Sequence, residues 1–182
     1  MLTVERAAVL ADVLRCARAG LSGTWLRGRR FPRGARPSRA EFSDGERRDE
    51  GRFHRADEEA LYFARTVDAV RAECPPEEGR PDLWVLRYDL DLPDARVLDR
   101  PLPAWPRATA LSGIWAKADE MASATEDYAL TQWLADVARS CGVDALRYRS
   151  DEAADEGPVN LVVWGEAARR VAGMAIGEPQ PG

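Results

Sequence analysis

The apolar residues of this chain come mostly in runs too short for buried helices. Ala60-Leu61-Tyr62-Phe63-Ala64 is bounded by charge on both sides, and Val159–Trp164 carries Leu161, Val162 and Val163 in succession. Unbroken runs of this length suit strands. Leu83–Leu92 alternates in part and contains Trp84, Val85, Leu86, Tyr88 and Leu90, so it also predicts a strand. Thr24-Trp25-Leu26, Arg96-Val97-Leu98 and Asp144–Tyr148 are shorter candidates.

Helical spacing is clear in two places. Val4, Ala7, Ala8, Leu10, Ala11, Leu14 and Ala17 share a face before Gly20, and Tyr128, Leu130, Trp133, Leu134, Val137 and Ala138 share one before Gly142. Thr66 can cap a third, shorter helix over Val67–Glu73, which Cys74-Pro75-Pro76 ends. Ser123 and Glu126 have capping-box spacing for the helix Glu126–Cys141, with Thr125 as the other possible cap. The region 101–124, with Pro101, Pro103 and Pro106, reads as irregular, and the closing GEPQPG as frayed. At 182 residues the chain fits one α+β domain of short strands, flanking helices and long loops.

Charge is distributed unevenly. The net charge is -5, yet Arg27 to Arg55 holds ten arginines against five carboxylates, a local balance of +5. Few apolar residues interrupt this stretch, and Pro32, Gly34, Pro37 and Gly45 break it, which predicts a long polar loop. Lys117 is the single lysine; base bias accounts for most of the arginine excess, but each guanidinium remains suited to bidentate phosphate contacts. The acidic total argues against a non-specific nucleic-acid binder.

His54 is the single histidine, which excludes a multi-histidine zinc site and would force any Ser-His or Cys-His mechanism through it. No metal site is expected. Cys16, Cys74 and Cys141 are few and far apart, so they read as thiols of a reducing compartment. The N-terminus has charges every few residues and no signal-peptide core, and no stretch has the length of a membrane helix. A soluble cytoplasmic protein is expected.

Three groups of segments carry the chemistry. The first is Thr24-Trp25-Leu26-Arg27. The second is Gly51-Arg52-Phe53-His54, then Ala60–Ala64, then Asp68–Glu73. The third is Thr131–Ala135, then Gly142–Ser150, then Asn160-Leu161-Val162-Val163. In this order and spacing, over roughly residues 20–165, they resemble the RES domain family, named for its Arg, Glu and Ser. That family's pattern runs from an aromatic-x-Arg through Gly-Arg-Trp/Phe-Asn, Ala-Leu-Tyr-Leu-Ala and Ala-x-x-Glu. It ends in Gly-x-Asp-Gly-x-x-x-x-Ser and an Asn-Leu-Val-x-Phe strand.

The resemblance implies an ADP-ribosyltransferase-like fold with short mixed or antiparallel strands. It divides the chain into an N-terminal helix at 1–20, a catalytic domain at 21–170 and a flexible tail at 171–182. It implies an enzyme that takes NAD as substrate and breaks the nicotinamide–ribose bond, as a glycohydrolase, a phosphorylase or an ADP-ribosyltransferase. Whether water, phosphate or a protein side chain accepts the ADP-ribose stays open. Such proteins are typically toxins paired with a helix-turn-helix antitoxin. A homo- or hetero-oligomer would follow, with no membrane contact and nucleic acid met only through the antitoxin.

The matched residues suit that reaction. Arg27 and Arg52 are forks for the pyrophosphate. Glu73 can stabilise positive charge developing on the ribose, hold a ribose hydroxyl or orient the nucleophile. Tyr62 can stack on the nicotinamide or bond the ribose. Ser150 can position the ribose or the Glu73 carboxylate. The catalytic candidates are therefore Glu73, Arg27 and Ser150, and the NAD-binding candidates Arg27, Arg52, Tyr62 and Ser150. Taken singly each is an ordinary surface, core or turn residue; their joint order carries the assignment.

This chain departs from the pattern at His54 (the family's Asn), at Arg55–Glu59 (a Pro-Gly-rich turn), at Ala145 (Gly) and at Arg149 (Pro). His54 reads as a loop residue. Two other functions compete: a non-catalytic module of the same fold that binds a nucleotide or a protein, and an interaction protein using its arginine-rich loop on acidic partners or nucleic acid.

Overall fold

The computed structural model describes residues 2–43, 51–56, 58–76, 78–99, 110–125, 128–149 and 159–182. In chain order these form α1 (Leu2–Cys16), β1 (Arg18–Phe31), α2 (Ala40–Ser43), β2 (Ala60–Ala64), α3 (Val67–Glu73) and β3 (Asp82–Asp99). Then come α4 (Ala110–Thr125), α5 (Ala129–Ser140), β4 (Ala145–Arg149), β5 (Val159–Trp164), α6 (Gly165–Ala172) and β6 (Ala175–Pro181). The class is α+β.

The strands form one mixed sheet in the order β1-β2-β5-β4-β3-β6, and β1 also pairs with β3, so the first five close a ring. Only β3 and β4 run parallel. β1 and β3 are long because they lie against each other from Arg18↔Val97 to Phe31↔Asp82. Pro93 divides β3 in the sequence, but the strand runs through it. The β1–β3 register shifts between Ala19 and Leu21, and Gly20 takes φ 93 there. A bulge absorbs a residue that cannot donate to the ladder.

Alternation along the strands builds two cores. Leu61, Phe63, Leu161, Val163, Trp25, Leu86 and Tyr88 face one another with Phe42 of α2 and Ala168 and Val171 of α6. On the opposite face of β2–β5–β4, Ala60, Val162, Trp164, Leu146 and Tyr148 meet Val9 and Val13 of α1, Leu111 and Trp115 of α4, and Leu134 and Ala138 of α5. A smaller cluster seats Ala69 and Val70 of α3 on Ala64, Leu83 and Val85.

Several expectations are corrected. The long polar loop is shorter than the sequence suggests: residues 27–31 belong to β1 and residues 40–43 to α2. Three of its arginines bind backbone: Arg30 donates to Cys74 O at 2.9 Å and Pro81 O at 2.6 Å, Arg29 reaches Glu41 O and Arg39 reaches Ala175 O. Within the supposedly irregular region, residues 110–125 are helix α4, so position 123 lies inside a helix. α5 starts at Ala129 with no side-chain cap from Tyr128; Glu126 lies outside the described residues. The C-terminal segment read as a frayed tail is strand β6, antiparallel to β3. Pro179 and Pro181 are tolerated there because β6 ends the strand order.

Candidate functional site

A polar residue inside an apolar strand must find a partner, because an unbonded buried amide is costly. Asn160 is that residue in β5, with no exposed surface. Its Nδ2 donates to Glu73 Oε1 at 2.5 Å. The reverse amide orientation would set two oxygens at that distance, so the carboxylate fixes which end of the amide faces it. Asn160 Oδ1 is buried and accepts no hydrogen bond among the described residues.

Glu73 is the last residue of α3, and three devices place that helix. Thr66 caps it as expected, its side chain accepting from Ala69 N at 3.2 Å. Gly28 of β1 lets it approach closely: a Cβ at Gly28 would stand 2.2 Å from Val70 Cγ1 and 3.3 Å from Cys74 Sγ. Arg30, two residues along the same strand, ties the helix end through the Cys74 carbonyl. Glu73 itself is exposed.

Arg27 immediately precedes Gly28, so the arginine and the glutamate come from two elements in direct contact. Its side chain is buried, at 1% exposure. Alternation puts it on the Trp25 side of β1, opposite Leu86 of β3. Its field reaches Tyr88, whose hydroxyl is nonetheless held above the ordinary tyrosine range by burial, the larger effect. β1 joins β2 at Leu26↔Ala64, Ala64 pairs with Asn160, and Asn160 with Tyr148. One row across four strands therefore runs Leu26, Ala64, Asn160, Tyr148, on the face of β1 opposite the Arg27 side chain.

Tyr62 lies two residues before Ala64 on β2 and shares its face. Its hydroxyl accepts from Phe53 N at 3.2 Å and lies 2.8 Å from His54 Nδ1. His54 is thus no solvated loop residue but is buried at 1% exposure. It closes a tight turn in which Gly51 and His54 exchange backbone hydrogen bonds. Gln132 Nε2 of α5 donates to Gly51 O at 3.1 Å and His54 O at 3.3 Å, and Trp164 Nε1 donates to Phe53 O at 3.0 Å. The residue before Phe53 is Arg52, half-buried, its guanidinium carbon 5.5 Å from the Phe53 ring centre.

Of the site candidates, Glu73 ends the helix that rests on Gly28, the neighbouring Arg27 turns its side chain to the opposite, Trp25 face of β1, and Arg52 and Tyr62 lie on the Gly51–His54 turn and on β2. Ser150 lies outside the described residues. The sequence reading did not assign Asn160 or Gln132 to the site, although a lone Asn inside VNLVVW and a Gln on the apolar side of α5 were visible signals. Of the departures, Ala145 is fully buried in the core, and its methyl is accommodated there. Among the described residues no group of three or more His, Cys, Asp or Glu could hold a metal ion, and no helix is long and apolar enough to cross a membrane.

A ring of strands flanked by helices is a fold this chain shares with a known toxin. It is similar to a solved chain from the M.tuberculosis MbcT–MbcA toxin–antitoxin complex, with a TM-score of 0.62 at 18% identity, over 96% of this chain and 91% of that one. A likeness at that identity is a likeness of fold. The family is given by sequence: the RES domain model matches residues 27–181, from Arg27 to the end of β6, and the chain belongs to that family. A search of curated proteins finds no match.

Proposed function

We propose that this chain consumes NAD by breaking its nicotinamide–ribose bond and acts as the toxin of a toxin–antitoxin pair. The observation that carries the proposal is the β1–α3 junction, where Gly28 brings the helix that ends in Glu73 against the strand that holds Arg27. Membership of the RES family and the shared toxin fold support it.

Breaking the glycosidic bond leaves positive charge on the ribose carbon as nicotinamide departs with the bonding electrons. A carboxylate held beside that carbon favours the transition state over the ground state. Glu73 takes that role. Arg27 and Arg52 bind the pyrophosphate, Tyr62 packs against the nicotinamide or ribose, and Ser150 positions the ribose. Water, phosphate or a protein side chain then accepts the ADP-ribose. The partner is a helix-turn-helix antitoxin, through which alone the chain meets nucleic acid, and both work in the cytoplasm.

The test is incubation of purified protein with NAD, following nicotinamide release. Release well above that of folded E73A supports the proposal; equal release overturns it.

One observation favours a second reading. The Tyr62 hydroxyl already serves Phe53 N and His54, which leaves it less able to meet a ribose. A module that binds NAD or ADP-ribose without turnover would show heat of binding in calorimetry and no nicotinamide.

A further inference from the structure

We propose that Asn160 is a positioning residue for the Glu73 carboxylate, an inference that rests on the reading of Glu73 as the group facing the ribose. Four observations converge on it. Asn160 is fully buried in a strand whose other members are apolar. Its amide donates to Glu73 Oε1 at 2.5 Å, a hydrogen bond to a charged acceptor. Its other end, Oδ1, accepts nothing among the described residues. An amide kept only to satisfy the fold would use both ends; this one serves the carboxylate.

The fourth observation is the position of Glu73. It ends α3, where aligned peptide dipoles present their negative end and disfavour a carboxylate. The helix is already located by Gly28 and Arg30. Asn160 therefore contributes the orientation of the carboxylate rather than the location of the helix. The donor comes from the sheet, the stiffest part of the neighbourhood, paired on both sides through Ala64 and Tyr148. Glu73 itself lies at the surface, while the amide that meets it is fully buried.

Two measurements test this. The first is kinetic. N160A lowers kcat for nicotinamide release about 10- to 100-fold with KM within about twofold, as expected when a reacting group is misplaced rather than removed. N160D places a second carboxyl at hydrogen-bonding distance, so the pair shares a proton and the acidic limb of the kcat profile moves up by about one pH unit or more. Wild-type kcat and an unmoved limb in both variants would overturn the proposal.

The second is independent of turnover. The side-chain amide protons of Asn160, followed by NMR, shift with pH in wild type and become insensitive in E73A, whose fold is checked by circular dichroism. Identical Asn160 resonances in wild type and E73A at every pH would overturn the proposal, whether or not N160D folds. If wild type releases no nicotinamide while this coupling is seen, the NAD-cleavage reading fails and the placement of the carboxylate by Asn160 stands.

Discussion

Two polar regions lie against the same sheet and are built on opposite plans. The Gly51–His54 turn is saturated: Gln132, Trp164 and Tyr62 meet its carbonyls, its Phe53 amide and its histidine ring, and it also closes on itself. The Asn160–Glu73 pair joins a fully buried amide to an exposed carboxylate, and the amide's oxygen takes no partner among the described residues. A saturated network fixes a segment in one arrangement, so its members matter to stability. The contrast separates a turn held for stability from the pair proposed to act on substrate.

Four substitutions break or sharpen this contrast. The largest effect is expected at Glu73: E73A should lower nicotinamide release about 100- to 1000-fold, the usual loss when one preorganised charge-stabilising group is removed, in protein that still folds by circular dichroism. G28A comes next, because the new methyl meets Val70 at a distance no Cβ tolerates. Overpacking of this kind costs about 1–3 kcal/mol. Because it pushes α3 off β1, kcat should fall together with the urea midpoint.

Q132A, on the saturated side, leaves two carbonyls of the turn without that donor. Each carbonyl keeps the backbone N–H it already accepts, so the loss is that of net hydrogen bonds, about 0.5–1.5 kcal/mol each, which the urea midpoint reports. The rate per folded molecule should change far less than in G28A. Equal loss of rate in both would erase the distinction between the regions.

The smallest effect lies in the core. Burial raises the Tyr88 hydroxyl above its ordinary range, so the folded protein holds that proton where the unfolded chain has released it. Stability contributed this way is present below about pH 10 and falls as pH rises beyond it. Y88F should flatten that alkaline decline, measured as the pH dependence of the urea midpoint, although it also removes the bond from Tyr88 Oη to Phe42 O.

Legibility in the sequence followed the range of the interaction. The cap at Thr66 and the end of α3 at Glu73 were readable because both are settled within a few residues. The apolar runs at 60–64 and 159–164 were readable because burial on both faces leaves little choice of residue. Helix α4 escaped notice behind the prolines at 101–106, although Leu111, Ile114, Trp115 and Ala118 carry its period. β6 and the unbroken β3 were not readable, since a proline is acceptable on an edge or at a bulge only when the neighbouring strand permits it. Arg27, Arg52, Tyr62 and Glu73 are candidates named by the order of motifs, and Asn160 lies inside one of those motifs without a role assigned from sequence.

The amino-acid sequence by itself determined the α+β class, the family motifs and the residue types that can handle a pyrophosphate and a developing cation. Each depends on composition, period or order along the chain. Tertiary structure decided which groups meet: that α3 rests on Gly28, that Asn160 reaches Glu73 and that His54 is buried against Tyr62. Glu73 and Asn160 are 87 residues apart, and such a meeting is set by sheet register and strand crossing, which no local pattern encodes.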